Sequence, residues 1–158
     1  MAERSRAVAA KDEPTIVVTR LVDAPRELVW QAWTEPRHIA QWWGPNGFTN
    51  TIHAMEVKPG GVWRFIMHGP DGTDWPNKIV YREVVRPERL VYDHSGEGAN
   101  DPHRFHVTVT FADRAGKTEI TMASLFPSLA ARDAVLKFGA LEGGGQTLDR
   151  LADYLPTI

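Results

Sequence analysis

The residues of this 158-residue chain that could do chemistry are its histidines and a few carboxylates. His53, His68, His94, His103 and His106 fall in or beside predicted strands, with Glu56, Glu83 and Asp93 near them in sequence. A metal centre needs two or three such ligands converging. His103 and His106 are three apart, so an extended strand points them to opposite faces. His106 alternates with apolar residues and is expected to face away from the core. No His-x-His pair falls on one strand face and no His-Glu-x-x-His helix occurs, so neither a metal nor a cofactor is expected. The chain has no cysteine, which removes disulfides, thiolate zinc sites and a cysteine nucleophile together.

Acid–base chemistry is a narrower possibility. Ser124 and Ser128 sit in no nucleophile elbow, and no glycine-rich phosphate loop precedes a helix. A carboxyl desolvated in a cavity has its pKa raised and can move a proton near neutral pH. Glu83 alternates with Ile79 and Tyr81, and Glu142 lies amid apolar helix positions; these are the catalytic candidates if the protein is an enzyme. The competing reading pairs Glu83 with Arg64 or Arg82 across a sheet.

Recognition of an apolar ligand has more residues behind it. Six tryptophans are unusual at this length. Trp30, Trp33, Trp42, Trp43, Trp63, Phe65 and Tyr81, with Met67 beside them, form a set that either walls a pocket or fills the space under a sheet. Glycines 143–145 interrupt an apolar helical pattern, where each should cost roughly 1 kcal/mol relative to alanine. Either a close approach or a kink is expected there. Both place Phe138, Leu141, Glu142 and Gln146 near the point where helix and sheet separate, with Arg64, Glu83 or Gln146 available to orient a ligand's polar end.

These side chains must be carried by regular elements. Residues 1–14 read as a flexible tail before one domain over 15–158. Thr15 opens the β-branched strand TIVVTRLV. Pro25 suits a first helical position, and Val29, Trp30 and Trp33 share one face of that helix. A second short helix runs roughly from Arg37 to Trp42 and stops at Gly44-Pro45-Asn46-Gly47. Strands follow over Thr49–Val57, Val62–His68, Asn77–Val85 and Arg89–His94, and a polar loop covers Ser95–Pro102. Phe105, Val107, Val109 and Phe111 then alternate with polar residues, the half-buried pattern. Lys117–Ser124 is the last strand. From Ser128, a good N-cap, apolar residues recur at helical spacing over roughly 25 residues, ending at Leu155. The predicted fold is α+β: a curved antiparallel sheet of about six to seven strands around one long C-terminal helix, with two short helices between the first two strands.

Composition bounds the partners. Lys and Arg total 18 against 20 Asp and Glu, giving a net charge of −2, so no basic footprint for nucleic acid or an anionic membrane is present. The first residues lack a signal-peptide core and no run approaches ~18 apolar residues, so a cytoplasmic protein without membrane contact is expected.

DAPRELVWQAWTEPRHIAQWWG at 23–44, MEVKPGGVWRFIMHGPDG at 55–72, REVVRPERLVY at 82–92, FHVTVTF at 105–111 and LDRLADYL at 148–155, in this order of elements, resemble the SRPBCC (START-like) superfamily. Within it the chain is similar to the family named after the activator of the 90-kDa heat-shock protein ATPase. Trp-Trp-Gly after the second helix and Pro-Gly-Gly before an aromatic strand carry the resemblance furthest. It implies the Bet v 1-like helix-grip fold, in which sheet and long helix enclose a hydrophobic cavity. Relatives include lipid carriers, hormone receptors, polyketide cyclases and chaperone co-factors, so the fold leaves the activity open.

Three functions follow. The leading one is a non-catalytic binder of a small hydrophobic molecule, using Trp30, Trp33, Trp43, Trp63, Phe65, Met67, Tyr81, Glu83, Phe138, Leu141, Glu142 and Gln146. The second is a cyclase or hydratase that moves a proton with Glu83 or Glu142. The third is a stress or chaperone co-factor that acts through an exposed surface. A homodimer is expected because symmetric pairing is common in small domains.

Overall fold

The computed structural model of the chain describes residues 5–96 and 104–158. The predicted loop over 95–102 and His103 therefore lie mostly outside the described residues.

Tight turns between consecutive alternating strands force neighbours to run antiparallel, and one eight-stranded sheet results. Its strands are β1 (Arg6–Val8), β2 (Thr15–Val22), β3 (Thr49–Met55), β4 (Val62–His68), β5 (Asp74–Val85), β6 (Arg89–Ser95), β7 (Phe105–Arg114) and β8 (Lys117–Leu125). Their spatial order is β1-β2-β8-β7-β6-β5-β4-β3, so the only departure from a meander is β2, which closes against β8. The helices are α1 (Arg26–Thr34), α2 (Pro36–Ile39), α3 (Leu129–Lys137) and α4 (Ala140–Tyr154). One sheet face carries α1 and the C-terminal helices, the arrangement of a helix-grip fold.

Two local departures from the sequence expectation shape the site. Arg6–Val8, assigned to a tail, pairs with β2 in the register Arg6↔Thr19, Ala7↔Val18, Val8↔Val17. The free edge of β2 offers unpaired backbone groups, and these three residues pair with part of it although they show no period of their own. The single long helix is in fact two. The break falls at Phe138-Gly139, where Gly139 adopts a left-handed φ of +81°, and not at glycines 143–145, which are helical. Gly139 is the cheapest place in the segment for that conformation. Ser128 caps α3 as expected, its hydroxyl accepting from the Ala131 amide at 3.0 Å.

The tryptophans form the centre of the core. Trp30 and Trp33 pack edge-on against Phe111, with centroids 5.8 and 5.4 Å away. Trp33 meets Trp42 at 4.9 Å, Trp42 meets Trp43 at 5.6 Å, and Trp43 meets Trp63 at 5.1 Å. Trp63 stacks on Phe65 at 4.1 Å. This chain of rings ties α1 to the far strands of the sheet.

Candidate functional site: an apolar cavity under the helix break

Strand alternation decides the floor of the site. Tyr92, Val107, Ser124 and Ile16 stand in one cross-strand row, paired Tyr92↔Val107, Val107↔Ser124 and Ile16↔Ser124. Met122 and Val18 form the next row, and Phe105 with Phe126 closes the end. Above this floor lie α3 and the first turns of α4. Between them is a cavity of about 330 Å³, lined mainly by apolar side chains and, among the described residues, by no Lys, Arg, Asp or Glu. That volume is at the lower end of small-molecule sites, roughly 300–1,000 Å³.

The wall formed by 43–48 is held by polar contacts from outside the cavity. Arg150 Nη1 donates to the carbonyls of Gly44 and Pro45 at 2.9 Å and of Trp43 at 3.3 Å. Its Nη2 donates to the Phe48 carbonyl at 3.0 Å. Burial draws the Arg150 guanidinium below its ordinary pKa. Asn50 Nδ2 donates to the Trp43 carbonyl at 2.9 Å, and the Asn46 amide donates to Gln146 Oε1 at 3.1 Å. Gly44 has φ +98°, and a Cβ there would come within 2.8 Å of Met67 Cε, so only glycine lets this loop close on the cavity.

Glycines 143–145 fit three different neighbours. A Cβ on Gly143 would lie 3.1 Å from Pro45 Cγ, one on Gly144 2.9 Å from Val18 Cγ2, and one on Gly145 3.6 Å from Ser5 Cβ. Side chains rather than another backbone crowd Gly143 and Gly144, Gly145 has only an ordinary contact, and the helix runs through all three, so the kink reading does not hold. Gly143, Gly144 and Thr147 line the roof.

Few polar groups face inward. Thr147 Oγ1 donates to the Gly143 carbonyl at 2.8 Å, within its own helix. His94 Nε2 is 2.8 Å from Asn77 Oδ1, and its ring lies 4.8 Å from Phe105. Tyr92 is 2% exposed and lines the cavity. Burial, reinforced by Tyr81, pushes its phenol far above the ordinary value, so it is a neutral O–H.

Apart from Glu83, the residues expected at the site divide into three groups. Trp43, Met67 and Phe138 line the cavity. Phe138 is 92% exposed, so it stands at the mouth. Trp30, Trp33, Trp63, Phe65 and Tyr81 are buried in the core instead and do not reach the cavity. Leu141, Glu142 and Gln146 lie round a separate hollow across α4, beside Ser5 and Asp149. That hollow exists because β1 does: the Ser5 amide and hydroxyl donate to Asp149 Oδ1 at 3.0 and 2.8 Å.

Glu83 corrects a periodicity argument. The β5–β6 register shifts between Tyr81 and Glu83, so Arg82 is an extra residue and Glu83 moves to the outer face. There it pairs with Arg89 at 2.9 Å, with neither Arg64 nor Arg82. Arg82 and His106 instead share Asp93, each at 2.8 Å, on that same outer face. His68 contacts Thr51 and Asp74. Among the described residues no three His, Asp or Glu side chains gather closely enough to hold a metal ion.

Sequence reasoning missed Tyr92 and His94 as cavity residues, weighing His94 only as a metal ligand, and missed Arg150. The first two were legible, since Leu90, Tyr92 and His94 alternate along β6; Arg150 carried no local signal at all.

Residues 23–156 match the family described as Activator of Hsp90 ATPase homolog 1-like protein. No curated protein matches the chain. Among solved structures, a protein from Arthrobacter aurescens is similar with a TM-score of 0.88 at 25% identity, over 96% of this chain and 91% of that one. A Rhodobacter sphaeroides protein gives 0.84 at 22% identity, over 99% and 100%. DynU16, a protein in the dynemicin biosynthetic locus, gives 0.67 at 27% identity, over 92% of this chain and 48% of its own length. These likenesses establish the shared fold.

Proposed function

The chain belongs to the Activator of Hsp90 ATPase homolog 1-like family, and from that premise we propose that it binds a small hydrophobic molecule in the cavity between its sheet and helices α3 and α4. The observation that carries this reading is the cavity itself, about 330 Å³ of space with an apolar lining and an aromatic at its mouth. The space opens to solvent at Phe138, and a mainly apolar lining with few polar groups is the make-up of a small-molecule site.

Binding without chemistry fits the placement of the carboxylates. Glu83 is on the outer face and Glu142 borders the hollow across α4, so neither is available to a molecule in the cavity. A cyclase-type mechanism would have to find its proton donor elsewhere.

Native mass spectrometry of the protein purified from its own cells, beside a denatured control and a Ser124→Phe variant, tests the reading. A reproducible extra mass in the native protein, lost on denaturation and lost again in the filled-cavity variant, supports it. An extra mass that persists in Ser124→Phe would place the ligand elsewhere.

A second reading has one observation in its favour. Phe138, Leu129 and Leu125 are exposed apolar residues in and around α3, and a chaperone or other protein partner would cover them. Recovery of one defined partner, lost in Phe138→Asp, would favour it.

A further inference from the structure

We infer that the molecule held in this cavity is elongated, longer than the cavity itself, and that its outer apolar end lies on the indole of Trp75, an inference that rests on the binding reading above. Trp75 is the exposed tryptophan among the six, with 55% of its surface in water, while the other five are at most 6% exposed. Tryptophan is highly buried on average, so an indole this open presents apolar surface that a ligand gains by covering.

Strand register puts that indole at the edge of the cavity. Trp75 pairs with Met67 and Asn77 with Phe65, without a shift in the β4–β5 ladder. Alternation then gives Trp75 the inner face, with Asn77, Ile79 and Tyr81, and not the outer face of Asp74 and Lys78. Met67, directly opposite, lines the cavity, and side chains paired in this way stand roughly 5 Å apart. β5 lies between β4 and β6, and the cavity takes Met67 from β4 and His94 from β6. The inner-face residues of β5 that bridge those two are Asn77 and Trp75. Asn77 Oδ1 is engaged with His94 Nε2 at 2.8 Å, and Trp75 stands one inner-face position further out, just beyond the cavity lining.

A compact ligand ends at Met67. A longer one finds the apolar floor continued outward, from Met67 onto the flat face of Trp75. Each further CH2 moved from water onto such a surface gains up to about fourfold in affinity. An indole face accepts a chain or a ring without asking for a polar group. The ligand class is therefore an elongated apolar chain or fused-ring body, and Trp75 is the residue that selects for its length.

A homologous series of phenylalkanes, delivered from cyclodextrin and titrated calorimetrically into the wild type and Trp75→Thr, reads that length. Threonine suits a strand and removes the ring. Short members are expected to bind both proteins within about twofold, which also shows that the variant is folded. Beyond the length that fills the cavity, affinity should keep rising in the wild type and level off in Trp75→Thr, leaving the longest members about tenfold weaker there. Iodide quenching reads the same contact, because the other five tryptophans are buried. Long members should protect the quenchable fluorescence of the wild type, and short members should leave it unchanged. A loss equal at every length, no loss at any length, or quenching unaltered by the long members would each overturn the inference, while binding of the short members left the cavity reading intact. Failure of the whole series to bind would overturn both.

Discussion

Arg150 Nη1 donates to the carbonyl oxygen of Gly44 at 2.9 Å across a sequence separation of 106 residues. With its bonds to Trp43, Pro45 and Phe48, this single guanidinium gathers the backbone that turns Trp43 toward the cavity. A hydrogen bond from a charged donor contributes more than a neutral one, and removal of the donor leaves part-buried carbonyls without partners. Arg150→Met, which keeps the apolar stem, should lower unfolding free energy by about 3 kcal/mol in urea titrations. Arg150→Lys should recover less than half of that, since an ammonium cannot reproduce the planar fork. Full recovery by lysine would mean that charge alone holds the wall.

The glycine triplet gives a sign change between adjacent positions. Gly145→Ala introduces only an ordinary 3.6 Å contact with Ser5, so the gain in helix propensity should dominate and raise stability by about 0.5–1 kcal/mol. Gly144→Ala drives a methyl to 2.9 Å from Val18, a stiff side chain inside a strand. Overpacking of roughly 1–3 kcal/mol should outweigh the same propensity gain. Thermal melts of the two variants should therefore move in opposite directions.

Trp63 and Phe138 separate core from mouth. Trp63 is buried in the ring chain, and Trp63→Ala should lower unfolding free energy by about 3–5 kcal/mol. Phe138→Ala removes a side chain that is almost wholly in water, so its effect on stability should stay within about 0.5 kcal/mol. Stopped-flow binding of an apolar probe should nevertheless change its rates in Phe138→Ala. A large stability loss at Phe138 would show that the aromatic packs over the cavity in solution.

Asp93 supplies a pH dependence with a defined sign. Partial burial works against its charge, yet hydrogen bonds and charge from His106 and Arg82 outweigh this and hold the carboxyl below the usual aspartate value. A carboxyl held low in the folded state contributes stability at pH above its unfolded pKa, about 4, and loses that contribution as pH falls through the folded value. Asp93→Asn should therefore melt below the wild type at neutral pH, and the gap should close as the pH is lowered beneath about 4. A gap that stays constant down to the acid limit would refute the assignment.

Glu83 is the control for catalysis. Its side chain is 52% exposed and its Arg89 pair lies on the outer face, so Glu83→Gln should change stability by less than about 1 kcal/mol and leave probe affinity in the cavity unaltered. A loss of turnover or binding in that variant would reinstate the enzyme reading.

Much of the fold was written locally. The β7 alternation, the Ser128 cap, the turn glycines and the switch from period two to period 3.6 each depend on residues a few positions apart, and each appears in the structure near where it was expected. The site was less legible for identifiable reasons. Six tryptophans look alike in a sequence, but only Trp43 turns to the cavity, because Arg150 and Asn50 fix the carbonyls behind it. Glu83 obeys its alternation until the bulge at Arg82 moves it to the other face, and the register that creates the bulge belongs to the partner strand β6.

What the sequence determined by itself, then, is the inventory of elements and the apolar face each must bury, because period, capping and turn chemistry act over a few residues. Tertiary structure alone decided three things: that residues 6–8 become a strand, that the glycine triplet stays helical, and that Tyr92 comes to line the cavity. Each depends on which surface arrives opposite, and a different element of the chain supplies that surface.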